Sequence, residues 1–178
     1  MNISDHQRRF TLLRGEAFFE IVADTDRPAG VISHRGETQV LGTAFNVAQR
    51  GEDTVVTVAT GTVDVSHAAQ WGNPIRVRGG QQVRYSPQRL SEVQSIDLTD
   101  ALAWRRGQII FWQKPLSEVI DEVNRYRSGR IVILNPSIRH RPVTGAFDIQ
   151  RLDHVIDALR LGLGFHATAF TPYLILLH

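Results

Sequence analysis

Hydrophobic residues in this chain change their spacing near residue 107, and the change decides which folds are open to it. From Phe10 to Tyr85 they recur at every second position, in short runs broken by turn residues. Beyond Gly107 they recur at every third or fourth position over two longer stretches. A period of two puts alternate side chains on opposite faces of a strand, and a period near 3.6 gathers them on one face of a helix. Two periods within 178 residues predict two modules, the first all β and the second mixed.

In the first stretch, Gly15, Ala17, Phe19 and Ile21 alternate with Glu16, Phe18 and Glu20, which predicts strands around a glycine break. Asp24-Thr25-Asp26-Arg27-Pro28 reads as a turn, Val31-Ile32-Ser33 as a short strand and Arg35-Gly36-Glu37 as another turn. Val40 to Val47 reads as one strand. Its Leu41, Thr43, Phe45 and Val47 share one face, and Val40, Gly42, Ala44 and Asn46 share the other. Gly42 and Ala44 leave that second face nearly bare, so that a backbone or a ring is able to approach closely. Thr54 to Ala59 is a Val-rich strand, and Thr62-Val63-Asp64-Val65 is its expected hairpin partner after Thr60-Gly61. Ile75 to Arg78 and Gln82 to Tyr85 flank Gly79-Gly80. Short strands with no helix before about residue 97 predict an all-β sandwich or jelly-roll-like module over residues 1–103.

Between Pro87 and Asp100 the alternation fades into a polar connection, and the boundary is placed at Trp104 to Gly107. Ile109-Ile110-Phe111 is a brief strand. Leu116, Val119, Ile120, Val123 and Tyr126 then predict a helix, with Pro115 in its first turn and Ser128-Gly129 at its end. Ile131 to Leu134 is an apolar strand stopped by Asn135-Pro136, and Val143 to Phe147 is another. Leu152, Val155, Ile156 and Leu159 line a second helix, capped by Asp148 and ended by Gly162 and Gly164. Phe165 to Thr168 and Tyr173 to Leu177 finish as strands. The order β-α-β-β-α-β-β predicts a small α+β module over residues 104–178.

Composition removes several classes of function. Hydrophobic residues at 42% suffice for real cores, yet no apolar run reaches the roughly 20 residues that span a bilayer. The opening Met1-Asn2-Ile3-Ser4-Asp5-His6-Gln7-Arg8-Arg9 lacks the apolar region of a signal peptide. Cysteine is absent, which excludes disulfides and thiolate metal sites. A net charge of +2, with arginines spread along the chain, is not the clustered basic face of a nucleic-acid binder.

Chemistry is equally sparse. The histidines, His6, His34, His67, His140, His154, His166 and His178, have no ligand spacing and read as solvent-facing. Asp153, His154 and Asp157 form the wet side of the second helix. Gly162-Leu163-Gly164 lacks the third glycine of a dinucleotide loop, and Gly79-Gly80 lacks the Lys-Ser/Thr sequel of a phosphate loop. No serine elbow or carboxylate pair stands out, so no catalytic, cofactor-binding or metal-binding residue is expected and the chain is not read as an enzyme. Trp104, Phe111 and Trp112 are expected to bury the junction of the modules. Arg105-Arg106 and the group Arg125, Arg127 and Arg130 read as a solvated basic surface able to meet an anionic partner.

Taken in order, several of these segments resemble the periplasmic part of FecR-type regulators, the transmembrane sigma-factor regulators of cell-surface signalling. The resemblance lies in Leu13-Arg14-Gly15-Glu16-Ala17-Phe18-Phe19-Glu20, Arg27-Pro28, and Val40-Leu41-Gly42-Thr43-Ala44-Phe45-Asn46-Val47. It continues in Gly61-Thr62-Val63-Asp64-Val65, Gly80-Gln81-Gln82, and Trp104 with Gly107-Gln108-Ile109-Ile110-Phe111. Leu116-Ser117-Glu118-Val119-Ile120 and Asn124-Arg125-Tyr126 complete it. From about Gly107 the chain also resembles the STN domain found at the N-termini of secretins and TonB-dependent receptors.

The resemblance implies a cytoplasmic anti-sigma segment, one membrane-spanning helix and further β strands ahead of residue 1, so that the chain begins inside the β module. It implies a periplasmic receiver that binds the N-terminal signalling domain of a TonB-dependent outer-membrane receptor loaded with ferric siderophore or a similar ligand. That contact would control an extracytoplasmic-function (ECF) sigma factor through regulated proteolysis. Such a role needs a protein-binding surface and no cofactor. Sheet edges accept added strands, and the expected edge is Ile131, Val132, Ile133 and Leu134 with Arg125, Arg127 and Arg130 beside it. Two other readings stay open: a sugar- or ligand-binding β domain, with exposed aromatics on one β face, and a cupin-like metalloenzyme, with His34 and His67 converging with a carboxylate.

Overall fold

The computed structural model describes residues 2–4, 7–67 and 73–178, with the side chains of residues 2–4 left aside. His6 lies outside the described residues. The chain divides into two units, Met1–Leu98 and Thr99–His178.

Among the described residues ahead of Leu98, the first unit is built from strands: β1 (Asn2–Ser4), β2 (Gln7–Leu12), β3 (Glu16–Ile21), β4 (Ala29–Ser33), β5 (Gly36–Val40), β6 (Thr43–Arg50), β7 (Asp53–Thr60), β8 (Thr62–His67), β9 (Ile75–Arg78), β10 (Gln81–Tyr85) and β11 (Gln94–Ser95). One sheet has the order β1-β2-β4-β5-β8-β9 and the other β11-β10-β7-β6-β3. All pairings are antiparallel except β2 with β4. Val31, Val40, Val63, Val65 and Val77 of the first sheet share a core with Phe45, Val47, Val56, Val58, Val83 and Tyr85 of the second. Valine dominates because its branched side chain packs well on a pleated surface.

The single strand expected over Val40 to Val47 is two strands in different sheets. β5 ends at Val40, Leu41 and Gly42 turn a corner, and β6 begins at Thr43. A Cβ on Gly42 would lie 2.7 Å from the Cβ of Ala23 and 3.0 Å from its Cα, so the close approach read into this glycine is real and it makes the corner. The same device separates β7 from β8. Gly61 has φ +82°, and β8 pairs with β5 and β9, not with β7 as a hairpin would require. Gly79-Gly80 carries β9 into β10 of the other sheet, where Gly79 N donates to Gly61 O at 3.0 Å and Gly80 N to Val58 O at 2.9 Å. Alternation of apolar residues continues unbroken through such corners, which is why it reports strands and not their partners. The turn expected at Arg35-Gly36-Glu37 falls instead on His34 and Arg35, where His34 has φ +48°.

A single helical turn, α1 (Leu98–Ala101), and a 3-10 turn at Ala103–Arg106 lead into the second unit. Then follow β12 (Gln108–Pro115), α2 (Leu116–Tyr126), β13 (Arg130–Ile133), β14 (Pro142–Asp148), α3 (Leu152–Leu163), β15 (Ala167–Thr171) and β16 (Leu174–Leu177). β12 pairs with β14, and a second sheet has the order β13-β16-β15 with β13 parallel to β16. Leu116, Val119, Ile120 and Val123 of α2 meet Leu152, Val155, Ile156 and Leu159 of α3 in one core, with Ile109, Phe111, Ile131, Val143 and Leu177 from the strands. Asp148 caps a 3-10 turn at Ile149–Arg151 by accepting from Gln150 N at 2.8 Å, one turn ahead of the helix it was expected to cap. Gly164 ends α3 in the left-handed conformation, while Gly162 lies within the helix.

Candidate protein-interaction surface

Three strands of the second unit form a sheet with two unlike faces. Ile131, Ile175 and Leu177 belong to its core side. Alternation therefore puts Arg130, Val132 and Leu134 on the outer side with Leu174 and Leu176. Thr168 and Phe170 of β15 join them. Leu134 is 55% exposed and Phe170 72%, so this outer side presents apolar surface to water. Exposed apolar surface gathered in one place marks interaction sites more often than scattered residues do.

The residues expected at the docking edge separate by role. β13 does lie at a sheet edge, since it pairs with β16 alone. Ile131 is buried, Val132 and Ile133 are half-buried, and only Leu134 stands well out. Arg127 is tied down: its Nε donates to Asp153 at 3.1 Å, its second nitrogen to Pro172 O at 3.2 Å, and its side chain is only 10% exposed. It works as a brace between α2, α3 and the β15–β16 turn. Arg125 lies 3.9 Å from Glu122 on its own helix. Arg130 is exposed and belongs to no ion pair among the described residues.

One residue that the sequence marks only as part of the family motif bears directly on this edge. Asn124 on α2 accepts from Ile131 N at 2.8 Å through Oδ1 and donates to Ile131 O at 3.0 Å through Nδ2. A half-buried Asn two positions before a helix end carries no pattern that would announce such a bond. The strand expected over Phe165 to Thr168 is β15, shifted to Ala167–Thr171, and its run Ala-Thr-Ala-Phe-Thr has no charge or proline to protect an edge.

Other candidates fall differently. Trp112 does not bury a junction: it is 65% exposed, with Nε1 donating to Asp100 Oδ2 at 2.6 Å. It sits at a register shift between Phe111 and Lys114, where Gln113 adopts φ +50°. Phe111 is buried in the α+β core and Trp104 is half-buried. His67 is not solvent-facing; it is 1% exposed with its ring 5.4 Å from that of Tyr85, and burial, then the charge of Arg35, hold its pKa below the usual value. His34 is exposed, with Nδ1 at 3.3 Å from Thr54 Oγ1. Among the described residues no group of three His, Cys, Asp or Glu side chains is arranged to hold a metal ion. A shallow cleft in the β unit is lined by Arg8, Val22, Ala23, Asp24, Thr25 and Arg27, without an aromatic platform for a sugar.

The FecR protein family matches residues 2–64. Two crystal structures of a candidate anti-sigma factor from Parabacteroides distasonis ATCC 8503 are similar over 99% of this chain and 82% of theirs. Each is 25% identical, with TM-scores of 0.81 and 0.80. No curated protein matches the chain. Residues 2–64, running from β1 into β8, are therefore similar to the FecR family.

Proposed function

We propose that this chain is the signal-receiving region of a FecR-type anti-sigma regulator, held in the periplasm and bound there by the N-terminal signalling domain of a TonB-dependent outer-membrane receptor. The supporting observation is the likeness to a candidate anti-sigma factor along 99% of the chain, which takes in both units and not only the family segment. The outer apolar side of β13, β16 and β15 supplies the protein-binding surface that such a role requires.

The physical sequence is short. The β unit serves as a scaffold, and the α+β unit, read as STN-like, takes the receptor's domain. A partner that binds the folded state alone stabilises it by RT ln(1 + [L]/Kd), which changes how often the chain opens to a protease. Proteolysis of the full regulator then alters an ECF sigma factor, in a circuit of siderophore or iron uptake. No helix among the described residues is long and apolar enough to cross a membrane; in such a regulator, anchoring and sigma contact are the work of other segments.

The test is made in cells that carry the receptor, its ligand and a reporter for the sigma factor. Exported to the periplasm in excess, this chain should compete for the signalling domain and lower ligand-induced transcription several-fold. Unchanged induction, with the chain folded and abundant, rejects the reading.

A further inference from the structure

The sheet edges of the second unit are not equivalent, and the difference decides where a strand is able to add. On β13, Arg130 N donates to Tyr173 O at 2.6 Å and Leu134 N to Leu177 O at 2.9 Å. That parity turns the backbone groups of Ile131 and Ile133 outward. Those of Ile131 are both occupied by Asn124, so half of the β13 edge is already covered. β12 and β14 carry Pro115, Pro142 and the register shift at Gln113. Prolines and bulges of this kind blunt an edge.

β15 has no such protection along its first half. His166 and His178 exchange both backbone hydrogen bonds at 2.8 Å. The next bonded pair is therefore Thr168 with Leu176, and the N–H and C=O of Ala167 and Ala169 point away from the sheet. No side-chain bond to these groups is found among the described residues. The register shift lies between Ala169 and Thr171, past both alanines. Their methyl groups leave the approach open, and exposed Phe170 extends the apolar row of Leu174, Leu176 and Val132 toward this edge.

We propose that β15 is the docking edge: an extended strand of the receptor's signalling domain adds beside Ala167–Thr171. Its backbone pairs with Ala167 and Ala169, and its alternate apolar side chains continue the outer row. This rests on the receptor reading above. The charge on this side of the sheet selects a different protein over a second copy. Arg130 is the one charged residue of β13, β15 and β16, with no Asp or Glu among them, so a second copy brings like charge whereas an acidic-rimmed strand complements it.

The experiment is calorimetry of the full chain, wild type and Ala169→Pro, against the purified signalling domain of the receptor encoded beside it, joined to amide exchange of the wild-type complex. Proline at 169 deletes an outward N–H and no hydrogen bond of the β15–β16 ladder, and edge strands tolerate that. The expected results are a loss of affinity of about tenfold or more in Ala169→Pro, and a slowing of Ala167 and Ala169 exchange of about tenfold or more in the complex. Full affinity in a folded Ala169→Pro overturns the inference and leaves the receptor reading intact, as do unprotected Ala167 and Ala169 amides in the wild-type complex. If Ala169→Pro fails to fold, the wild-type amides decide alone. Absence of any wild-type binding overturns both readings together. Concentration-dependent protection of the same amides without the receptor domain assigns the edge to a second copy and overturns the choice of partner.

Discussion

Replacing Asn124 by alanine removes the one side chain that satisfies two backbone groups on the β13 edge. The bonds measure 2.8 Å from Ile131 N and 3.0 Å to Ile131 O. Each is worth a net ~0.5–1.5 kcal/mol, so the pair contributes ~1–3 kcal/mol. Asn124 is half-buried, and water reaches the edge once the side chain is gone, which places the loss in the lower half, ~1–2 kcal/mol. In a unit running from Thr99 to His178, each kcal/mol moves the midpoint by roughly 4–8 °C, giving a fall of ~4–16 °C. Because the two units need not melt together, the assay is residue-resolved amide exchange. Exchange at Val123 and Ile156 should quicken by about tenfold for each 1.4 kcal/mol lost, and Ile131 should quicken more, while Val56 and Val65 of the β unit hold their rates. An Ile131 amide as slow in Asn124→Ala as in wild type refutes the idea that Asn124 covers the edge. Equal acceleration in both units refutes its local character.

Three further outcomes follow from single contacts. Gly42→Ala drives a methyl to 2.7 Å from the Ala23 side chain at the β5–β6 corner, and the β unit should lose ~1–3 kcal/mol, read as a lower urea midpoint. Gly129→Ala combines φ +106° with a Cβ that meets Tyr173 O and lies 2.8 Å from Tyr173 Cα; a loss of ~2 kcal/mol or more should appear as faster exchange along β13 and β16. His67 is held neutral by burial and by Arg35, so its folded pKa lies below the ordinary 6.5 and the unfolded chain binds the extra proton first. Stability of the β unit should be constant well above pH 6.5, fall as pH drops below it by up to ~1.4 kcal/mol per pH unit, and level off once the folded form also protonates. Urea midpoints at several pH values, with and without His67→Gln, check this: the variant should lose the slope.

Spacing made the two helices of the second unit legible, because Leu116 to Tyr126 and Leu152 to Leu163 each carry apolar residues on one stripe and polar ones elsewhere. The strands of the β unit were legible for the same reason. Their pairing was not, because the corners at Gly42, Gly61 and Gly79-Gly80 change the sheet without changing the alternation. At the candidate surface, Ile131 to Leu134 read as a short apolar strand and β13 runs over Arg130–Ile133, but strand order is a long-range property that local pattern does not contain. Arg127 and Arg130 look alike in sequence; one braces Asp153 and Pro172, and the other stands in solvent. The exposed Phe170 and the uncharged run of β15 carried a usable signal, since natural edges usually hold a charge or a proline.

Titration calorimetry between this chain and the signalling domain of the receptor encoded beside it tests the receiver role most directly. Saturable one-to-one binding is expected, with no requirement for a metal or a cofactor. No detectable binding at concentrations of about 100 μM, with both proteins shown to be folded, contradicts it.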